Sequence, residues 1–291
     1  MNTFLKRVYD LFPFKRQAFL ILKQFYHPRQ TLYQRLNFDG PFRVRFDGRS
    51  FLFQNYASYD HVIENEIFWN GLTGGWEKTS LALWIKLCES SRTIFDIGAN
   101  TGIYSLVAKT ANPHATVFAF EPIPRIVRKL RTNIRLNNFD IRVCTDAVSN
   151  RDGVQTMYDS SGGHTYTASL TPEFDQNSVE VEVKTTRLST FIRQQGLSSV
   201  DVMKLDVETH EYEVLAGMEE YFDLMKPTLL IEILSPELGS KIERFVEGKG
   251  YLYFAVHEDK APSRVQSLGS RSARNVLMCS AERALMLGLL M

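Results

Sequence analysis

The sequence predicts a doubly wound α/β fold: a mostly parallel, seven-stranded sheet with a helical N-terminal extension and an inserted hairpin. Three observations point to it. Seven short apolar runs, rich in β-branched and aromatic residues, recur between residues 93 and 280. Amphipathic segments separate most of them, and strand–helix alternation marks a parallel sheet buried on both faces. The first run, "TIFDIGANTGIYS" (93–105), passes from strand through two glycines into a helix, the shape of a turn that holds a small ligand.

Along the chain, residues 1–37 read as helical, with Pro13 and Pro28 as breaks. "FRVRFDGRSFLFQ" (42–54) alternates apolar and polar residues around Asp47-Gly48, a hairpin signal. "SLALWIKLCES" (80–90) has helical spacing. Residues 1–90 form an N-terminal subdomain in this reading, and 91–291 the main domain. The strand runs are "TIFDIG" (93–98), "TVFAFEP" (116–122), "IRVCTDAV" (141–148), "VDVMKLDV" (200–207), "TLLIEIL" (228–234), "YLYFAVH" (251–257) and "NVLMCS" (275–280). Helical segments fall at 126–138, 211–222 and 237–248. Residues 153–186 break the rhythm and are expected to form an inserted hairpin and loop at the mouth of the site.

Composition is that of a globular protein, with 44% hydrophobic and 23% charged residues in a chain of 291. Cys88, Cys144 and Cys279 show neither a disulfide framework nor a metal pattern, which fits a reducing cytoplasm. Net charge is +1, yet residues 1–49 hold ten Lys/Arg against three acids, a net +7. Such an arm is either the solvated face of amphipathic helices or a contact for a peripheral membrane surface, a nucleic acid, an acidic substrate or a second copy of the chain. "AFLIL" (18–22) is too short for the apolar region of a signal peptide, and no uninterrupted apolar run approaches the roughly 20 residues of a spanning helix.

The glycine turn narrows the ligand. Gly98 and Gly102 give G-x-x-x-G, whereas a dinucleotide fingerprint needs glycine where Asn100 and Ile103 stand, and no Gly-Lys-Ser/Thr follows. A ligand without phosphates, S-adenosylmethionine, suits these residues better. A helix beginning near Thr101 offers free N–H groups to the methionine carboxylate. Asp96 can face the ammonium, and Gly98 lets backbone approach the ligand. Glu121, at the end of the next strand, can accept the ribose hydroxyls. Asp146, ending the third strand, can accept the adenine amino group beside the Ala147 N–H.

"FDIGANTGIYSLVAK", "VFAFEPIPRIVRKLRTNIRLNN" and "VDVMKLDVETHEYEVLAGMEEYFDLMKPTLLIEIL" resemble, in order and spacing, the FkbM family of class I methyltransferases, over residues 92–258. The resemblance implies a Rossmann-like fold, S-adenosylmethionine as cofactor, and O-methylation of hydroxyls on sugars, polyketides or other secondary metabolites. It implies that Asp96, Gly98, Asn100 and Gly102 form the first cofactor motif, that Glu121 is the ribose acid, and that Asp206 and Glu208 lie in the motif after the fourth strand. Two positions depart from the family. Thr209 stands where glycine usually follows "DVE", and Arg187-Leu188-Ser189 replaces a frequent Thr-Leu-Asp.

Transfer of a methyl group to an alcohol needs in-line geometry and a base or metal near the acceptor. Asp206 closes "MKLDV" at the height of the methyl; Glu208 and His210 follow on the same turn. Glu232 lies inside "LLIEIL", where burial would raise its pKa unless a cation such as Lys204 pairs with it. His164 could close over the site from the insert. Asp206, Glu208 and Glu232 could supply oxygens to Mg²⁺, although no spacing demands a metal. Rival readings are an NAD-dependent oxidoreductase, opposed by the missing glycine and the lack of a Tyr-x-x-x-Lys pair, and a non-catalytic adenosylmethionine-binding protein. A nucleic-acid methyltransferase is opposed by the near-neutral charge and the absence of an Asn-Pro-Pro-Tyr-type motif.

Overall fold

The computed structural model describes residues 13–33, 36–56, 62–160, 168–169, 178–270 and 273–290. The chain opens with helices α1 (Lys15–Leu22) and α2 (Gln30–Tyr33) and the hairpin β1 (Asp39–Phe46) and β2 (Arg49–Tyr56). Asp47 and Gly48 both take positive φ, 45° and 74°. That is the two-residue turn whose twist matches a hairpin. Helices α3 (Val62–Asn70) and α4 (Lys78–Glu89) follow. The alternating apolar residues of the hairpin, Phe42, Val44, Phe51 and Phe53, are buried in one core with Phe38, Phe68 and Trp69, where Phe42 meets Phe38, Phe53 and Phe68 edge to face.

The main sheet begins with β3 (Thr93–Ile97), α5 (Ile103–Ala111), β4 (Thr116–Phe120), α6 (Pro124–Asn137) and β5 (Ile141–Cys144). Pro124 suits the first turn of α6, where its missing N–H costs nothing. A second sheet is built from β6 (Ala147–Val148), β7 (Gly153–Ser160), β8 (Ala168–Ser169) and β9 (Ser178–Thr186). The chain returns through α7 (Leu188–Gln195), β10 (Val202–Leu205), α8 (Glu211–Ala216), α9 (Glu220–Met225), β11 (Thr228–Glu232) and α10 (Pro236–Val246). It closes with β12 (Leu252–Val256), β13 (Ser263–Val265), β14 (Asn275–Cys279) and α11 (Ala281–Met286).

The order across the main sheet is β13-β12-β14-β11-β10-β3-β4-β5. Strands β5, β4, β3, β10 and β11 are parallel, and β14 enters antiparallel between β11 and β12. The chain winds outward from β3 through β4 to β5, then restarts at β10 on the other side. The crevice beyond the carboxyl ends of β3 and β10 is therefore the switch point where open α/β sheets hold ligands. One face packs on Phe95, Phe118, Phe120 and Phe191 in edge-to-face contact; the other shares its core with the hairpin, α3 and α4. Each fully buried Phe, Leu or Ile contributes about 1.5–3 kcal/mol.

All seven predicted runs form strands, and the short β13 adds an eighth at the edge. Residues 141–148 are not one strand: β5 ends at Cys144, and Ala147–Val148 pairs with β9 in the second sheet. The predicted helix 211–222 is two, Glu211–Ala216 and Glu220–Met225; Gly217, between them, has room for no side chain, since a Cβ would lie 2.2 Å from the Ser149 carbonyl oxygen. The insert pairs β7 with β9 as an antiparallel hairpin. His164 lies outside the described residues, as do residues 1–12 of the basic arm. No described helix is long and apolar enough to cross a membrane.

Candidate active site

A cavity of about 360 Å³ opens at the switch point. Asp96, Gly98, Asn100, Thr101, Glu121, Asp146 and Ala147 line one part of it; Asp206, Glu208, His210 and Glu232 line another. Gly102 does not line it.

The first turn is built by close packing. Gly98 (φ 82°) could not carry a side chain, since a Cβ would lie 1.8 Å from the Asp206 carbonyl oxygen. The neighbouring strand end by itself requires the glycine, which also lines the cavity. At Gly102 (φ 96°) a Cβ would meet Leu130 at 2.4 Å. Helix α5 begins at Ile103, with Gly102 at its N-cap, two residues later than the expected start near Thr101. Asn100 takes φ 52°, and its Oδ1 accepts the Thr101 N–H at 2.8 Å.

Glu121 is 5% exposed, and its carboxylate accepts N–H groups from Asn100 (3.1 Å) and Ile123 (2.9 Å). Burial outweighs these bonds and pushes its pKa up to about 7. Asp96 is pushed up to about 6 by burial, although Ser105 Oγ donates to it at 2.6 Å. Met157, Ala147, Ile123 and Ile126 form an apolar patch between the insert and α6. Arg125 clamps the insert there by pairing with Asp159 through two N–H groups.

At the other end, Lys204 Nζ stands 3.0 Å from Asp206 Oδ2, and not on Glu232 as the sequence suggests. The β10–β11 register sets Leu205 beside Ile231, so Asp206 and Glu232 leave adjacent strand ends. Burial pushes Glu232 up to about 8, and the Asp206 charge adds to it. Burial and Asp206 push Glu208 up to about 7. Glu208 and Thr209 take φ 51° and 77°, so the turn that usually needs glycine adopts left-handed geometry with threonine in place. His210 Nε2 is 3.0 Å from Ser149 Oγ, its Nδ1 lies 3.8 Å from Glu213, and burial lowers its pKa. Its ring is thus neutral at pH 7 and already engaged.

Sequence reading missed Trp76, Glu77, Tyr104 and Arg274, which also line the cavity. Their positions depend on long-range packing that no local pattern announces. Among the described residues, no three His, Cys, Asp or Glu side chains are placed to hold a metal ion.

A sequence profile described as the Methyltransferase FkbM domain matches residues 96–253, more than half of the chain. The chain belongs to the FkbM methyltransferase family. It is 30% identical over 221 residues to methyltransferase sdnD of Sordaria araneosa, spanning 62% of this chain and 82% of that one. It is 33% identical over 154 residues to the 31-O-demethyl-FK506 methyltransferase FkbM of Streptomyces tacrolimicus, spanning 44% and 59%. It is 30% identical over 139 residues to the 2-O-methyltransferase NoeI of Sinorhizobium fredii, spanning 44% and 57%. The family's cofactor is S-adenosylmethionine, and the residues present in this FkbM methyltransferase fit it. The cavity offers the buried acids Asp96 and Glu121 and, beside them, an apolar patch of Ile123, Ile126, Ala147 and Met157.

Proposed function

We propose that this FkbM methyltransferase transfers the methyl group of S-adenosylmethionine to a hydroxyl of a small, sugar-like or secondary-metabolite acceptor. The observation that carries this is the single cavity joining the Glu121–Asp146 end to the Asp206–Glu232 end. Two relatives, the 31-O-demethyl and 2-O-methyltransferases, are named for transfer to oxygen. Bound S-adenosylmethionine supplies an activated methyl on a sulfonium. Asp96 faces its ammonium, Glu121 accepts the ribose hydroxyls, and Asp146 with the Ala147 N–H meets the adenine edge. Gly98, Asn100, Thr101 and Gly102 shape the turn beneath.

Asp206 is the base in this reading. Lys204 Nζ, 3.0 Å from Oδ2, holds its carboxylate beside the acceptor, where it takes the hydroxyl proton as oxygen attacks. Glu232, pushed up to about 8, donates a hydrogen bond to an acceptor oxygen, Glu208, pushed up to about 7, stands beside it, and His210 orients the turn. Asp206→Asn should preserve folding and adenosylmethionine affinity while turnover falls by ~10²-fold or more, the usual scale for a lost general base. The check is calorimetry with the cofactor followed by methyl transfer across an acceptor library. Near-normal turnover in Asp206→Asn would remove it from this role.

Residues 1–90 act as an N-terminal subdomain on the 91–291 catalytic domain in this proposal, and the three free cysteines support a cytoplasmic setting. A peripheral membrane contact is supported by Ile21 and Phe25, 62% and 82% exposed within a segment of net charge +7. Sedimentation with anionic vesicles should capture the wild type and not Ile21→Asp/Phe25→Asp. A homo-oligomer through the same face would instead show in gel filtration as a change in size.

A further inference from the structure

Glu77 has an unusual place in the fold. It precedes α4 at the N-cap position, in left-handed backbone (φ 43°, ψ 35°), yet its side chain caps nothing. Capping is done from elsewhere: Glu258 accepts the Thr79 N–H at 2.8 Å and the Ser80 hydroxyl at 2.9 Å. Released from that task, the Glu77 carboxylate turns into the cavity. Its Oε2 accepts the Tyr104 hydroxyl at 2.5 Å, and its Oε1 accepts Asn275 Nδ2 at 3.3 Å. Tyr104 presents its ring face to Lys204, with Nζ 4.9 Å from the centroid. Trp84 Nε1 donates to the Tyr104 carbonyl at 2.9 Å and the two rings meet edge to face, fixing the tyrosine. Lys204 is 1% exposed. An ammonium so buried needs compensation from its surroundings. Asp206 stands in contact with it, the Tyr104 ring covers it, and Glu77 lies beyond the ring.

We propose that Glu77, Tyr104 and Lys204 form a positioning device for Asp206, in which the Lys204 ammonium fixes the carboxylate and Glu77, supplied by the segment before the main sheet, sets how strongly it does so. The inference rests on the reading of Asp206 as the base. Lys204 is not itself a base, because Asp206 and Glu77 raise its pKa against the effect of burial. Its role is electrostatic. The carboxylate feels Lys204 on its own strand, Glu232 from β11, Glu208 and Glu211 from the turn and helix that follow, and Asp96 from β3. Glu77 and Tyr104 act on it from the far side of the ammonium.

The device makes two variants move Asp206 in opposite directions. Lys204→Met removes a positive neighbour, so Asp206 ionises at higher pH. Burial raises the Glu77 pKa, and where Glu77 is ionised its charge opposes that of Asp206, so Glu77→Gln, which keeps an oxygen for the Tyr104 hydroxyl, lets Asp206 ionise at lower pH. Carboxyl ¹³C NMR titration of the full chain reads this without any acceptor, with the Asp206 signal assigned through Asp206→Asn. The expected result is a midpoint raised by about one pH unit or more in Lys204→Met and lowered measurably in Glu77→Gln. The acid limb of kcat should follow both, with adenosylmethionine affinity within about threefold of wild type. Lys204→Arg should restore much of the wild-type midpoint, and Glu77→Gln stands alone as the test should Lys204→Met not fold. Midpoints unmoved in either variant would overturn the device. Opposite shifts in a protein that methylates no acceptor would keep it and discard the catalytic reading of Asp206.

Discussion

At the scale of single residues, the first turn and the turn after β10 show opposite uses of left-handed backbone. Gly98 has positive φ and the Asp206 carbonyl against its Cα, so neither strain nor contact can relax around a side chain. Gly98→Ala should cost about 3 kcal/mol or more in denaturant unfolding and weaken adenosylmethionine binding with it. A cost below about 1 kcal/mol would mean that β3 and β10 can separate. Thr209 is the converse, a β-branched residue at φ 77°. Left-handed geometry costs such a residue roughly 1–2 kcal/mol, and glycine returns about half of that as backbone entropy. Thr209→Gly should therefore raise stability by about 0.5–1 kcal/mol. A fall would show that the threonine side chain makes a contact worth more than the strain. The sequence made the glycine at 98 legible and left its reason hidden, because the carbonyl it avoids lies over a hundred residues away.

At the scale of elements, what the period of the sequence announces and what tertiary contact decides separate cleanly. Strands β3, β4, β10, β11, β12 and β14 and helices α5, α6 and α10 carry apolar runs or helical stripes, so local pattern finds them. Helix α3, helix α7 and the short β13 do not stand out, since their burial is supplied by neighbours. The same holds in the site. Asp96, Glu121 and Asp206 end strands and are visible as acids after apolar runs, whereas Glu77, Tyr104 and Arg274 reach the cavity only through the fold. The hairpin is likewise tied to the turn at Thr101 by side chains that sequence leaves anonymous. Asn137 imitates a strand partner, accepting the Leu52 N–H at 2.6 Å and donating to its carbonyl at 2.7 Å. Asn133, fully buried, accepts the Gln54 N–H at 3.0 Å and donates to the Thr101 carbonyl at 2.8 Å. Asn133→Ala leaves both backbone groups without these bonds, a cost of about 1–3 kcal/mol, and loosens the turn under the cofactor. Stability should fall and the adenosylmethionine Kd should rise severalfold. Asn137→Ala, which touches the hairpin and α6 but not the turn, should lower stability with the Kd unchanged. Equal effects on Kd in both variants would show that the hairpin acts on the whole fold and not through Thr101.

At the scale of the whole molecule, the fold buries carboxyl groups, several of them lining the cavity, and burial resists their ionisation. Glu64, Glu121, Glu208 and Glu211 are pushed up to about 7, Asp96 to about 6 and Glu232 to about 8, in each case by burial first. In the unfolded chain such groups titrate near 4. Between roughly pH 4 and pH 8 the native protein therefore holds more protons than the unfolded one, and stability must fall as pH rises across that window. His210 opposes the trend, its lowered pKa favouring unfolding below about pH 6.5, but it is one group against six. The unliganded protein should thus melt at higher temperature at pH 6 than at pH 8. Cofactor reverses the sense of part of this. In the proposed binding mode an ammonium beside Asp96 and hydroxyls on Glu121 favour the ionised acids, so binding should release protons and weaken as pH falls through 7 toward 6. The increment in melting temperature from saturating adenosylmethionine should shrink as pH is lowered. Calorimetry in buffers of different ionisation enthalpy should report net proton release at pH 6.5, and Glu121→Gln should remove a share of it. An unliganded protein whose melting temperature rises between pH 6 and pH 8 would show that these carboxyls are solvated or paired well enough to ionise, and the electrostatic account of the cavity would fail with it.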